Sequence, residues 1–124
     1  MKILLVDDDS FLRDMYATKF SQGGHHVDAV ENGTSALAKL SAADDYDVVM
    51  LDMVMPGMTG LELLEKIKIE FPDIKSKLIV LSNQGQEEDV REATEAGAVA
   101  YIIKAESIPS EVMAKVEEVC ARKK

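Results

Sequence analysis

Four polar positions in this chain stand directly behind apolar runs. Asp7-Asp8-Asp9 follows Ile3-Leu4-Leu5-Val6, and Asp52 follows Val48-Val49-Met50-Leu51. Ser82 follows Leu78-Ile79-Val80-Leu81, and Lys104 follows Tyr101-Ile102-Ile103. Continuous apolar runs of this length, rich in β-branched residues, read as parallel strands buried on both faces. In an open α/β sheet, functional groups gather just beyond the carboxyl ends of the strands. The carboxylates, the hydroxyl and the ammonium should therefore face one crevice, the layout of a metal-assisted phosphoryl site.

Helical segments alternate with these strands and must position them. After the first strand, Ser10 is a candidate N-cap, and Leu12, Tyr16 and Phe20 form the apolar stripe of a first helix that Gly23-Gly24 stops. A second strand near Val27–Val30 leads through Asn32-Gly33 to a helix capped by Thr34 and carrying Ala36, Leu37 and Leu40. The third strand, Asp47 to Leu51, precedes a helix from about Gly60 to Glu70 with Leu61, Leu64 and Ile67 inward, ended by Phe71-Pro72. Strand four spans Lys77 to Leu81, and helix four spans Gln86 to Ala96 with Gly97 as its C′ residue. Strand five spans Val99 to Ile103. Helix five starts at Pro109, turns Val112, Val116 and Val119 inward, and ends in Arg122-Lys123-Lys124, favourable at the negative end of its dipole. Five strands alternating with five helices predict parallel strands, right-handed crossovers and a three-layer α/β/α sandwich. Periodicity alone leaves the strand order open.

The bulk properties fit one domain over residues 1–124. The 47% apolar share is that of a globular chain, and the formal net charge of −9 argues against direct binding to nucleic acid or to an acidic membrane surface. A cation site or a basic partner fits better. The lone cysteine, Cys120, excludes an internal disulfide, and no apolar stretch approaches membrane length or the form of a signal peptide, so the cytoplasm is the expected location. His25-His26 reads as a turn-proximal pair without a catalytic role, the cluster Met53, Met55 and Met58 as packing or partner contact, and Asp44-Asp45 as a solvated loop.

The segment Leu51-Asp52-Met53-Val54-Met55-Pro56-Gly57-Met58-Thr59-Gly60 resembles the stretch after strand three in the receiver domains of bacterial response regulators. The resemblance extends over essentially the whole chain, with an acidic pair after strand one, Ser82 after strand four and Lys104 after strand five. It implies a flavodoxin-like (βα)5 fold with strand order 2-1-3-4-5. It also implies that Asp52 is the phosphoacceptor of a two-component phosphorelay. Asp7 and Asp8, with Asp52 and the main-chain carbonyl of Val54, would hold Mg²⁺, while Asp9 starts the helix. Ser82 and Lys104 would bind the phosphoryl oxygens. The donor would be a phosphohistidine on a histidine kinase or a histidine phosphotransfer protein. On this reading the chain is a signalling switch that takes part in its own phosphorylation and dephosphorylation, and is not an enzyme acting on a separate metabolite.

The same resemblance assigns Ser82 and Tyr101 to a switch that remodels the helix four–strand five–helix five face for a downstream protein target. It assigns Val54 and Gln84 to tuning dephosphorylation, and Phe11 and Met15, off the core stripe of helix one, to kinase docking. Two departures from the family pattern stand out. Ala105 follows Lys104 where a proline with a cis bond before it is usual, so the Lys104-Ala105 bond is either trans with an altered loop or a strained cis bond. The Val54 side chain cannot hydrogen-bond a water whereas Gln84 can, and moderate to slow dephosphorylation is expected. Two rival readings are a haloacid-dehalogenase-like phosphohydrolase, built on Asp7-Asp8-Asp9 as an Asp-x-Asp pattern, and a receiver-like interaction module that is never phosphorylated. A stand-alone receiver and a piece of a longer regulator are both compatible with the sequence.

Overall fold

The computed structural model describes residues 1–121. Its strands are β1 (Lys2–Val6), β2 (His26–Val30), β3 (Val48–Leu51), β4 (Lys77–Ser82) and β5 (Ala98–Ile103). The helices are α1 (Ser10–Gln22), α2 (Gly33–Ala42), α3 (Gly60–Glu70), α4 (Glu87–Glu95) and α5 (Pro109–Ala121), and a short 3₁₀ turn, Lys104–Glu106, joins β5 to α5. The five strands form one parallel sheet in the order 2-1-3-4-5, as the family resemblance implies. The basic run Arg122-Lys123-Lys124 lies outside the described residues.

The strands read as unbroken apolar runs because both faces of the sheet are covered. Along β1, Leu4 and Val6 point into one core with Val49, Leu51, Val80, Ala36, Leu40, Leu63, Leu64 and Ile67. Ile3 and Leu5 point into the other, with Val48, Met50, Ile79, Leu81, Tyr16, Phe20, Val112 and Val116. Side chains alternate across a strand, so a segment buried on both sides has no polar positions to spare. Helices α2, α3 and α4 cover the first face, and α1 and α5 cover the second. Each large aliphatic side chain buried here contributes about 1.5–3 kcal/mol relative to an exposed one.

Several boundaries shift for identifiable reasons. Asp9, not Ser10, caps α1, its side chain accepting from the Leu12 amide at 3.1 Å. Asn32 rather than Thr34 caps α2 through the Ser35 amide at 2.8 Å. In α3 the buried face is Leu63, Leu64 and Ile67, and Leu61 is only half-buried. A reciprocal capping box between Thr59 and Glu62 sets that rotation. The chain leaves α4 through Gly97 at φ +114°, a conformation open to glycine, as the C′ assignment expects. Ser82 lies inside β4 instead of just past it. Met53 and Met55 are buried in the first core, as packing residues. His25 accepts from the Met1 ammonium at Nδ1 and meets Glu117 of α5 through Nε2, both at 2.9 Å, a structural tie at the amino end of the sheet.

Candidate functional site

Backbone pairing carries the strand ends to one place. The Asp7 amide donates to the Val30 carbonyl at 3.1 Å, and the Asp52 amide donates to the Val6 carbonyl at 3.2 Å. The ladder thus continues one residue past β1 and β3 and sets Asp7 and Asp52 side by side at the carboxyl edge. Both are buried, and Asp8 beside them is exposed.

Each buried carboxylate is held at both oxygens. One oxygen of Asp7 accepts from the Asp9 amide at 3.0 Å, and one of Asp52 accepts from the Val54 amide at 3.0 Å. The other oxygen of each receives the Lys104 ammonium, at 2.7 Å from Asp7 and 2.8 Å from Asp52. The local amides lock the rotamers, so the aligned oxygens are pre-organised. Burial works against a charged ammonium, but the hydrogen bonds and charges of Asp52 and Asp7 outweigh it and hold Lys104 above the ordinary lysine value. Among the described residues the Asp8 carboxylate has no hydrogen-bond or ion-pair partner.

Carboxylate oxygens of Asp7, Asp8 and Asp52 lie within 4.8 Å of one another. Three oxygen-bearing acids at that spacing suit a hard divalent cation such as Mg²⁺, which prefers oxygen ligands and only a few carboxylates. An open cleft of about 350 Å³ lies above them, lined by Asp8, Asp9, Leu12, Asp52, Val54, Ser82, Asn83, Gln84 and Lys104. The Ser82 hydroxyl accepts from the Gln84 amide at 3.2 Å, which orients it at the cleft wall. Val54 and Gln84 are exposed at its mouth.

The remaining sequence candidates fall nearby. Tyr101 is half-buried on β5, and its hydroxyl donates to the Gln84 main-chain carbonyl. Burial raises the Tyr101 phenol pKa, Asp89 adds to this, and a hydrogen bond with Ser82 opposes it. The phenol is therefore already latched to the β4–α4 loop. Phe11 is 74% exposed, but Met15 packs partly against the second core, so only Phe11 fully leaves the helix-one stripe. Both line a second groove of about 630 Å³, completed by Ile108 and Pro109 at the start of α5. The Lys104-Ala105 bond is trans, and the 3₁₀ turn Lys104–Glu106 takes the place of a cis-proline loop while leaving the lysine on both carboxylates.

Sequence reading missed two participants. The Arg13 guanidinium donates to the Asp7 main-chain carbonyl at 2.9 Å and braces the β1–α1 loop. Arg13 sits one turn into α1 on its half-buried flank, a position that periodicity marks as an ordinary boundary residue. Asn83 lines the cleft beside Ser82, and only its adjacency to Ser82 could have signalled it.

Gly60, the first residue of α3, closes the loop behind Asp52. Its amide donates to the Met53 carbonyl at 2.9 Å, and a Cβ there would lie 2.3 Å from the Asp52 main-chain oxygen. Because backbone must move to relieve that contact, Gly60→Ala is expected to destabilise by about 1–3 kcal/mol. It should also perturb the Asp52 and Val54 amides. Thermal denaturation with amide NMR measures both, and an unchanged melting temperature would remove the packing argument.

The sheet order and the polar cleft over its carboxyl edge define a flavodoxin-like α/β protein with a single acidic site at the strand ends. Residues 3–117 match the family model of the response regulator receiver domain, and the chain belongs to that family, a domain of two-component systems. It is 37% identical over 118 residues to the chemotaxis protein CheY of Halobacterium salinarum, covering 95% of each chain. Over 121 residues it is 34% identical to the transcriptional regulatory protein ResD of Bacillus subtilis, covering 98% of this chain and 48% of that protein. The chain thus spans about half the length of that relative. Among solved structures, Vibrio cholerae chemotaxis protein CheY4 aligns with TM-score 0.87 at 27% identity, over 95% of this chain and 97% of that one. Among the described residues no helix is long and apolar enough to cross a membrane.

Proposed function

We propose that this receiver accepts a phosphoryl group on Asp52 from a phosphohistidine of a histidine kinase or histidine phosphotransfer protein, with Mg²⁺ held by Asp7, Asp8, Asp52 and the Val54 carbonyl. The observation that carries this reading is the convergence of three carboxylates within 4.8 Å beside one buried lysine. An Asp52 oxygen attacks phosphorus, the phosphorus–nitrogen bond breaks, and its electron pair stays on the departing imidazole. The result is a mixed anhydride that water later cleaves. Bound Mg²⁺ would supply positive charge against the phosphoryl oxygens. Lys104, just past β5, and the Ser82 hydroxyl, at the end of β4, would bind phosphoryl oxygens and offset the charge that develops on them.

Readout follows from the same atoms. Ser82, the last residue of β4, accepts from the amide of Gln84, whose carbonyl holds Tyr101. A phosphoryl group that draws the Ser82 hydroxyl would disturb that latch and bias the α4–β5–α5 face toward a downstream protein target. The groove of Phe11, Met15, Ile108 and Pro109 would seat the histidine-bearing helices of the donor. The net charge of −9 disfavours direct contact with nucleic acid or an acidic membrane surface, and a cytoplasmic location is the expected one. Residues 1–124 would act as one domain that switches and turns over no separate metabolite. A phosphohydrolase would need an acidic pair after a later strand, where this chain has Ser82 and Lys104, and it would leave the segment around Asp52, Met55 and Pro56 without a role.

Beryllofluoride, a phosphoryl mimic, tests the proposal. Titration in the presence of Mg²⁺ should shift the amides of Asp52, Ser82, Tyr101 and Lys104 saturably, and omission of Mg²⁺ should abolish the shifts. No Mg²⁺-dependent change at these positions would instead favour a receiver-like interaction module.

Val54 governs persistence of the phosphoryl group. It is 54% exposed at the cleft mouth and offers an incoming water no hydrogen bond. Val54→Asn is expected to shorten the aspartyl-phosphate lifetime several-fold, read as decay of the intact-mass adduct. An unchanged lifetime would show that water access is limited elsewhere.

A further inference from the structure

A third groove, of about 450 Å³, runs between α3 and α4 and shares no lining residue with the acidic cleft or the Phe11 groove. Its apolar floor is Leu61, Ile69 and Ala96, and Ile69 is 77% exposed, the most exposed large aliphatic or aromatic side chain among the described residues. Glu65, Glu92 and Glu95 rim it against one cation, Lys68. None of the three glutamates has an ion-pair partner among the described residues, and Arg91, four residues before Glu95, does not pair with it.

Helix α4 is also electrostatically inconsistent by itself. Glu92 and Glu95 occupy its last turn, where the helix dipole is negative, and no basic residue lies there. Glu88 and Glu92 stand at i, i+4 spacing, a like-charge pair that weakens a helix. Local choices that oppose the fold concentrate where function demands them. The missing complement is positive charge supplied from outside, together with an apolar side chain to cover Ile69.

We propose that the α3–α4 groove docks a basic amphipathic helix of a protein partner, with an aliphatic or aromatic side chain on Ile69 and Leu61 and lysines or arginines on Glu65, Glu92 and Glu95. Both elements of recognition are needed, because exposed ion pairs alone contribute little and are screened by salt. The helix-in-groove mode uses apolar anchors at i, i+3, i+4 and i+7 flanked by charge. Since α4 follows the loop that leads from Ser82 through Gln84, occupancy here is placed to couple reciprocally to the acidic cleft. Docking in this groove does not require phosphorylation.

The probe is a synthetic helical peptide of about 18 residues, roughly five turns, with leucines on one face and lysines on the other, titrated into isotopically labelled full chain at low salt. Amide shifts are expected to concentrate at Leu61, Glu65, Ile69, Glu92 and Glu95. Ile69→Ser should weaken binding at least about tenfold, the loss expected for removing one buried apolar anchor. Glu92→Lys and Glu95→Lys should each weaken it and flatten its salt dependence. All three side chains lie at the surface of the groove, and the amide spectrum confirms that each variant folds. The proposal is overturned if a scrambled peptide of equal composition binds as tightly, or if Ile69→Ser binds like the parent. It is equally overturned by shifts centred on the other acidic rim at Asp44, Asp45, Glu70 and Asp73, or by no binding of the patterned peptide.

Discussion

Asp52→Asn is expected to abolish phosphoryl uptake from acetyl phosphate with Mg²⁺ while leaving the fold intact. The substitution preserves side-chain shape, and its single carboxamide oxygen can still accept from the Val54 amide, as Asp52 does at 3.0 Å, while Lys104 gives up its 2.8 Å contact with Asp52 and keeps the one to Asp7. What disappears is the anionic oxygen that can attack phosphorus, since an amide is not a competent nucleophile. Intact-protein mass spectrometry should show one phosphoryl adduct in the parent and none in the variant. Asp7 and Asp8 share the cluster, so the variant also tests whether either can substitute. An adduct surviving at the parent's level would move the acceptor to another acid and end the proposed role of Asp52.

Lys104→Met should have the largest effect on stability of any single change in the cleft. The lysine side chain is 7% exposed and is the shared partner of two buried carboxylates. Removing one partner of a buried ion pair costs about 3–5 kcal/mol, because the remaining charge is left uncompensated. A loss near 3 kcal/mol corresponds to a fall in Tm of roughly 10 °C for a domain of this size. Mg²⁺ should restore part of that loss, since it binds the folded carboxylate cluster and not the unfolded chain. An unchanged Tm without Mg²⁺ would show that the two ion pairs contribute no net stability.

The pH dependence of the parent provides a second reading of the same contact. The folded-state pKa of Lys104 is raised above the ordinary lysine value of 10.5, so its contribution is complete below pH 10.5 and is lost as pH rises through the folded value. Stability should therefore fall in that alkaline range in the parent, and this component of the fall should be missing in Lys104→Met. Equal alkaline slopes in the two proteins would remove the ion pairs as its cause.

Much of this is legible in the sequence. Leu4, Leu5, Val49 and Val80 announce strands because a sheet covered on both faces leaves no polar alternation. Tyr16 and Phe20 announce α1 because one turn separates them. Boundaries were less legible, as Asp9 shows: both Asp9 and Ser10 can cap a helix, and only the path of the loop after Asp7 decides which side chain reaches the Leu12 amide. Leu63 was missed as a core residue because Leu61, Leu64 and Ile67 satisfy the same period, and the rotation of α3 depends on the Thr59–Glu62 box and the close approach of Gly60 to Asp52.

The kinds of elements, their alternation and the polar residues at the strand ends are written locally in the chain, since they depend on periodicities of two and 3.6 residues and on groups adjacent in sequence. The sequence also carries, through ordered motifs, the family to which the chain belongs. Packing in three dimensions is what puts Lys104 on both Asp7 and Asp52, Arg13 on the Asp7 carbonyl, Tyr101 on Gln84, and Ile69 among unpaired glutamates. The physical reason is range. The Lys104–Asp7 contact joins residues 97 positions apart, and no local period encodes which strand lies beside which or how far a side chain reaches across the cleft.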